Sequence, residues 1–372
     1  VGVKIASVEV IPYALPFRRP YVTARGRLDQ REMVLLRLRS EDGLVGLGEA
    51  VPLSLRGGTA LIEVVRELEA LTGLPRGDEE GLRAGAVGLS APAKCAVETA
   101  LLDLRSRRAS VGDVSSTLRS SLGSHSATND DLSNGPVACN ATLVAGEPAA
   151  VAKDALAWAE QGFWTFKLKL GVGDDVGQVR AVREAVGRAA RIRVDANAAW
   201  DVETAIRTLR ELEQFEIELA EQPVASLEEM AAVADGCSIP LAADESVESS
   251  GDAERAAAMG ACRLTGIKLS KVGGPEEAIA IADVLPAYLS SALDGPVGIA
   301  AAAQVAQSLV ETEHPERLDL AHGLATQRLF ASTIAAAECE LRGGALHPPT
   351  GPGLGIEIDE DALDAHRLDR GD

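Results

Sequence analysis

Five charged residues in the middle of this 372-residue chain stand almost one βα unit apart: Lys169, Asp195, Glu221, Asp244 and Lys268, at intervals of 26, 26, 23 and 24 residues. Each lies at or near the end of a short apolar stretch with strand character. The stretches 137–143, 165–170, 192–195, 217–221, 240–244, 264–269, 289–293 and 318–323 alternate with Ala-rich segments of helical spacing up to about residue 337. Eight strands separated by helices predict a (β/α)8-type barrel, whose strands deliver their C-terminal residues to one mouth. The five charges would then meet in one place, and that place is where barrels do chemistry.

The flanks read differently. Residues 3–13, 32–40 and 44–49 alternate apolar and polar, with Glu41-Asp42-Gly43 as a hairpin turn, which predicts a small antiparallel meander. From 59 to 105 the spacing turns helical, with Leu61, Val64, Val65 and Leu68 on one face and Ala96, Ala100, Leu101 and Leu104 on another. Residues 106–135, rich in Ser, Asn, Asp and Gly, read as an exposed connector of weak order. Residues 353–358 look like one more strand, returning to the N-terminal unit. The expected division is 1–130 for an N-terminal α+β unit, 131–340 for the barrel and 341–372 for the returning segment.

Composition removes several function classes. With 46% hydrophobic and 25% charged residues the chain is an ordinary globular one, and no apolar run reaches the roughly 18 residues of a membrane span. Nothing at the start resembles an export signal, so a cytoplasmic location is expected. Lys and Arg total 36 against 56 Asp and Glu, a formal charge of -20, which repels a phosphate backbone and argues against nucleic-acid or anionic-membrane partners. The five cysteines, Cys95, Cys139, Cys237, Cys262 and Cys339, show no metal-ligand spacing and are expected as buried free thiols. No P-loop or dinucleotide fingerprint is present.

Three carboxylates at one mouth repel one another unless a cation sits between them. With oxygen ligands alone, Mg²⁺ or Mn²⁺ is favoured over zinc. Any single one of the three can equally be the N-cap of the helix after its strand, whereas three at one period favour a shared cation. Lys169 and Lys268 come from the strands on either side of the carboxylate arc and should face each other across the pocket. Lys167 shares a strand face with Lys169 at i, i+2, and its simplest use is a salt bridge that lowers a neighbouring carboxylate's pKa. A second ammonium and a bound metal would both disfavour protonated Lys169, which could then accept a proton near neutral pH. Metal and lysine together suit abstraction of a proton α to a carboxylate. A metal-stabilised binding protein would have no use for the lysine pair, and a Schiff-base aldolase no use for the carboxylate trio.

The stretches F-K-L-K-L (166–170), V-D-A-N (194–197), E-Q-P (221–223), A-D-E-S (243–246) and I-K-L-S-K-V-G-G (267–274) resemble the enolase superfamily, which pairs a Lys or His base with Mg²⁺, and specifically its muconate-lactonizing-enzyme subgroup. The resemblance covers almost the whole chain. It implies an α/β fold, a (β/α)7β TIM-type barrel with an α+β capping domain formed by the N-terminal region and the C-terminal segment. It implies Asp195, Glu221 and Asp244 as Mg²⁺ ligands, Lys169 and Lys268 as the acid/base pair, a small carboxylate substrate, and assembly as a homo-oligomer. Within the subgroup, residues 290–302 (S-S-A-L-D-G-P-V-G-I-A-A-A) and 322–330 (H-G-L-A-T-Q-R-L-F) are most similar to the o-succinylbenzoate synthases, lyases of menaquinone biosynthesis. Dipeptide epimerases would carry an Asp-x-Asp pair near the eighth strand, which residues 318–326 do not supply. Muconate cycloisomerases and N-acylamino acid racemases use the same lysines and stay open.

Further candidates surround this set. Asn197 and Gln222, just past two of the carboxylates, can orient a ligand, bind substrate or simply shape a turn. Ser246 has no histidine partner, which argues against a serine hydrolase. His322 is the one histidine at a strand end and a candidate substrate contact. Two N-terminal loops, 18–27 and 53–58, combine arginine with Gly or Pro; the resemblance implies a specificity role for Tyr21, Arg25 and Arg56, against the alternative of solvated basic loops on an acidic protein.

Overall fold

The computed structural model describes residues 3–23, 26–52, 58–73, 79–109, 114, 117–118, 135–309 and 320–368. Arg25, Arg56 and most of the connector expected at 106–135 lie outside the described residues.

The N-terminal alternation forms an antiparallel sheet of β1 (Ile5–Thr23), β2 (Gly26–Ser40) and β3 (Val45–Ala50). Its central strand is buried on both faces: Val34, Leu36 and Leu38 pack with the helices of the cap, while Met33 and Leu35 join the core shared with the barrel. The segment 18–27, expected as a loop, is mostly strand. Pairing of β1 with β2 continues through Tyr21 opposite Leu28, and Tyr21 stacks on Phe17 at 5.7 Å, which in turn stacks on Phe330 at 5.1 Å. Three helices follow, α1 (Leu61–Thr72), α2 (Glu79–Gly85) and α3 (Ala91–Arg108). Of the face predicted for α1, Val64, Val65 and Leu68 are buried and Leu61 is partly buried. α3 lies so close to β3 that a Cβ at Gly46 or Gly48 would run into the backbone of Ala100 or Ala96.

The stretch expected as one strand at 137–143 is two. β4 (Val137–Ala138) pairs outside the barrel, and β5 (Ala141–Leu143) opens it. β6 (Thr165–Lys169), β7 (Arg191–Asp195), β8 (Ile217–Glu221), β9 (Leu241–Ala243), β10 (Leu264–Ile267) and β11 (Ala287–Leu289) complete a seven-stranded parallel sheet in sequence order. β11 ends earlier than the expected 289–293, because the Asp294 carboxylate accepts from Ser291 Oγ and from the Ala292 N–H, both at 2.7 Å, and draws those residues into a turn. The eighth position carries no strand among the described residues. Parallel bridges of Cys139 with His322 and of Ser290 with Gly323 close the sheet there instead.

After the barrel come β12 (Ala335–Ala337), β13 (Glu340–Arg342), β14 (Ala345–His347), β15 (Glu357–Ile358) and a last helix, Glu360–His366. β13 and β14 form a sheet with β4, and β15 pairs with β12 rather than with the N-terminal sheet. The segment nonetheless reaches the cap through polar side chains: Arg37 holds Glu360 at 2.7 Å, and Asp103 Oδ1 accepts from the Leu354 N–H at 2.7 Å. Cys95, Cys139, Cys262 and Cys339 are buried and free, and Cys237 is free but only half-buried. Among the described residues no helix is long and apolar enough to cross a membrane.

Candidate active site

Parallel register sets the charged residues side by side. Lys169 pairs with Asp195 and Asp195 with Glu221 across β6, β7 and β8, while Asp244 and Lys268 stand one residue beyond β9 and β10. The helix N-caps are other residues: Asp174, Asp201, Ser226 and Ser249 accept the first-turn N–H groups of the helices that follow β6, β7, β8 and β9. Capping therefore does not account for Asp195, Glu221 or Asp244. All three carboxylate side chains are fully buried.

Four ammonium groups meet these carboxylates. Lys167 Nζ bridges Glu221 Oε2 at 2.6 Å and Asp195 Oδ2 at 2.8 Å, and Lys169 Nζ also reaches Asp195 Oδ2, at 2.6 Å. Lys268 pairs with Asp244 Oδ2. Lys271, one helical turn on, donates to the Asp244 backbone carbonyl and lies 3.1 Å from its Oδ1. Lys169 is the most accessible of the four, with 20% of its side chain exposed against 7% or less for the others.

Burial would raise the Asp195 carboxyl, but Lys167 and Lys169 outweigh it and hold the pKa well below the usual range. Glu221 goes the other way. Burial raises it, the Asp195 charge adds to the rise, and Lys167 only partly opposes them. The two acids differ because Asp195 faces two ammonium groups at contact distance. For Lys169, burial pulls the ammonium down, yet Asp195, with smaller help from Tyr21 and Glu221, prevails over burial and Lys167 and raises its pKa. The expectation of an amine that accepts a proton near neutrality includes a bound metal beside it; with the carboxylates alone the pKa of Lys169 is raised.

The trio is not gathered into a ready-made metal cage: among the described residues no group of three His, Cys, Asp or Glu side chains stands in metal-holding geometry. Ammonium groups bridge the carboxylates instead. One atom still asks for a positive partner. Glu221 Oε1 is buried with no hydrogen-bond partner, although its other oxygen accepts from Lys167 and from the Tyr288 hydroxyl. A buried carboxylate oxygen without a partner is costly, and an all-oxygen donor set is what Mg²⁺ takes. The residues thus fit the ion by donor chemistry and by this orphaned oxygen.

The remaining candidates separate. Asn197 joins the site: its Oδ1 accepts from Lys169 at 2.8 Å, its backbone N–H donates to Asp195 Oδ1 at 2.9 Å and its Nδ2 donates to Glu245 Oε1 at 3.1 Å. It does so from a left-handed backbone, φ 48°, which Asn tolerates better than most residues. Gln222 clasps loops, its Oε1 accepting from the Asp244 N–H at 2.8 Å and its Nε2 donating to the Val224 carbonyl at 2.9 Å. The Ser246 hydroxyl is engaged with Gln222 and the Ala225 carbonyl. Tyr21 lies near enough to Lys169 to act on its charge. His322 Nδ1 accepts from the Leu289 N–H at 2.9 Å, and burial, helped by Arg193, lowers its pKa to about 3. It is a neutral ring in the barrel's closing seam. Lys271 and Tyr288 were missed by reading the sequence. Lys271 was visible inside I-K-L-S-K, but Tyr288 had no signal, since a Tyr in an apolar strand looks like core.

Residues 150–362 match the family described as Enolase C-terminal domain-like, and residues 5–114 match the Mandelate racemase / muconate lactonizing enzyme, N-terminal domain family. The o-succinylbenzoate synthase of Thermobifida fusca is 38% identical over 205 residues, 53% of this chain and 62% of that enzyme. A muconate lactonizing enzyme from Pseudomonas fluorescens, solved with muconolactone, superposes with a TM-score of 0.87 at 28% identity, over 99% of this chain and all of that one. A dipeptide epimerase from Enterococcus faecalis, solved with Mg and the dipeptide L-Leu-L-Tyr, superposes with a TM-score of 0.83 at 26% identity, over 95% of this chain and 99% of that one.

Proposed function

This chain belongs to the enolase superfamily, in its muconate-lactonizing-enzyme subgroup, and on that premise we propose that it is a Mg²⁺-dependent lyase, an o-succinylbenzoate synthase of menaquinone biosynthesis. The observation that carries the acid/base chemistry is the pair of lysines at the two ends of the carboxylate arc, Lys169 on Asp195 and Lys268 on Asp244; the choice of the synthase within the subgroup rests on the likeness of residues 290–302 and 322–330.

Asp195, Glu221 and Asp244 are the residues to hold the ion. Held there, Mg²⁺ would supply positive charge that opposes the hold of Asp195 on the Lys169 proton and favours negative charge developing on the substrate carboxylate. Lys169, the most accessible ammonium of the four, is the base for the α proton of a cyclohexadiene carboxylate. Its new proton leaves with the hydroxide from the same face, so the products are the aromatic acid and water. Lys268 stands opposite as a cation beside the electron-rich intermediate. Lys167 keeps Asp195 ionised, Lys271 steadies Asp244, and Asn197 orients the Lys169 amine. Tyr21, Arg25, Arg56 and His322 are proposed to border the substrate.

The likeness to the Thermobifida synthase supports the lyase reading over about three fifths of that enzyme, and epimerases and muconate cycloisomerases about 30% identical over most of their lengths support an isomerase. A ¹H NMR assay in D₂O with Mg²⁺ tests the reading. Conversion of the cyclohexadiene substrate to o-succinylbenzoate supports it. Deuterium entering the α position of N-succinylamino acids or dipeptides, with no dehydration, replaces it with racemase or epimerase, and cyclisation of muconate alone replaces it with cycloisomerase.

A further inference from the structure

Away from the mouth, two buried carboxylates of the cap perform one job on two successive barrel helices. Glu49, at the end of β3 and 2% exposed, accepts the Gly295 N–H at 2.7 Å and the Tyr13 hydroxyl at 2.8 Å, and also the Gly298 N–H. It closes the N-terminus of the helix Pro296–Leu309. Glu98, in α3 and 6% exposed, accepts the Glu276 N–H and closes the N-terminus of the helix Pro275–Val284. Glycines make room for both: a Cβ at Gly274 would overlap the Glu98 carboxylate, and one at Gly298 would come within 2.7 Å of Glu49 Oε1. Between them Arg31 of β2 clasps the two sides of the mouth, donating to the Pro52 carbonyl of the cap at 2.7 Å and to the Ala292 carbonyl of the barrel at 3.0 Å.

We infer that Glu49 and Glu98 form a two-point latch between cap and barrel, each supplying across the seam the cap that a barrel helix lacks, and that proton uptake by this pair tightens the seating of the cap over the mouth. The inference does not depend on which substrate the mouth accepts.

The charged surroundings set the direction. Glu49 faces Tyr13 from β1, Asp294 from the loop after β11, and Arg31 from β2, which acts on Asp294; the helix Pro296–Leu309 has no charged side chain. Cys95 of α3, which feels both Asp294 and Glu98, stays a neutral thiol, its pKa pushed up by burial first. Glu98 faces Glu276 across the seam, with Lys94 of its own helix and Arg83 of α2 at longer range; Lys271, on the short helix Leu269–Val272 packed against α3, is engaged with Asp244. Burial raises Glu49 to about 7, with Asp294 adding to the rise, and burial raises Glu98 to about 7 as well. Both values lie above those of the free acid. The seam is therefore tightest in mild acid and loosens as pH rises through about 7, by at most about tenfold per pH unit for each proton.

Hydrogen–deuterium exchange on the full chain, corrected for intrinsic rates, tests this with peptides covering 274–280 and 293–300 and the helix Leu227–Gly236 as reference. The wild type should open at both seam peptides several-fold more readily at pH 8 than at pH 5.5, relative to the reference. A Glu49→Gln, Glu98→Gln double variant keeps one acceptor oxygen on each side chain for the helix N–H groups and removes the titration, and should stay protected with that pH difference gone. Glu49→Ala should expose 293–300 at both pH values and leave 274–280 protected. A wild type without the pH difference, a double variant that retains it, or a Glu49→Ala protein protected like the wild type each overturns the latch.

Discussion

The mouth and the seam both bury carboxylates, and they neutralise them by different means. At the mouth, Asp195, Glu221 and Asp244 lie against Lys167, Lys169, Lys268 and Lys271, so opposite charges bear the burden of burial. At the seam, Glu49 and Glu98 are met chiefly by backbone N–H groups and a phenol. The outcomes differ most at Asp195, which meets two ammonium groups and is held far below the usual carboxylate range, while Glu49 and Glu98 rise to about 7 and Glu221, in contact with Lys167, is raised as well. At the seam, hydrogen bonds from neutral donors only soften the effect of burial, and at the mouth it is reversed at Asp195, where two full charges meet one carboxylate. A site meant to bind a cation needs its carboxylates ionised throughout, whereas a seam can tolerate a proton.

The sharpest way to break this contrast is at Lys169. If its amine does the chemistry, Lys169→Ala should lower turnover by about 10³-fold with Mg²⁺ binding retained by calorimetry; near-wild-type turnover removes it as the base. Next in size, Lys167→Met removes the bridge between Asp195 and Glu221 and should weaken Mg²⁺ affinity or activity by about 10–100-fold, as loss of a ligand's support does. Unchanged affinity would show that Lys167 is not needed to keep those acids ready. At the seam the effect is on pH dependence. Because the folded pKa of Glu49 is raised, its contribution to stability is complete below the unfolded value and lost as pH rises through about 7. Glu49→Gln should therefore show a smaller fall in thermal midpoint between pH 5.5 and pH 8 than the wild type, by differential scanning calorimetry. Equal falls would mean that Glu49 carries no proton there. Smallest is Tyr288→Phe, which removes the hydroxyl on Glu221 and should change turnover by about threefold, in line with one buried hydrogen bond partly replaced by water; a loss as large as that of Lys169→Ala would place Tyr288 in the chemistry itself.

The barrel was legible because its strands are short apolar runs at βα spacing and because charge at a strand end stands out against them. The parallel register of Lys169, Asp195 and Glu221 follows from that spacing. At the eighth position, where residues 318–319 of the expected strand lie outside the described residues, the described ones make two bridges, at His322 and Gly323, which periodicity cannot tell from a strand. The split of 137–143 was hidden for the same reason: both halves are strands, and only their partners differ. His322 stood out by its position at a strand end, but the bond its Nδ1 accepts from the Leu289 N–H had no signal in the sequence.

By itself, the sequence determined what repeats locally: element types, their order, and the residue classes delivered to the barrel mouth. These follow from side-chain period and from spacing along one chain. Tertiary structure decided which buried charges meet which partners. Lys169 lies 2.6 Å from Asp195, which raises its pKa, and Glu49 and Glu98 cap helices that lie 246 and 178 residues away in the chain. Such pairings depend on distance and dielectric between segments remote in sequence, and no local pattern encodes either.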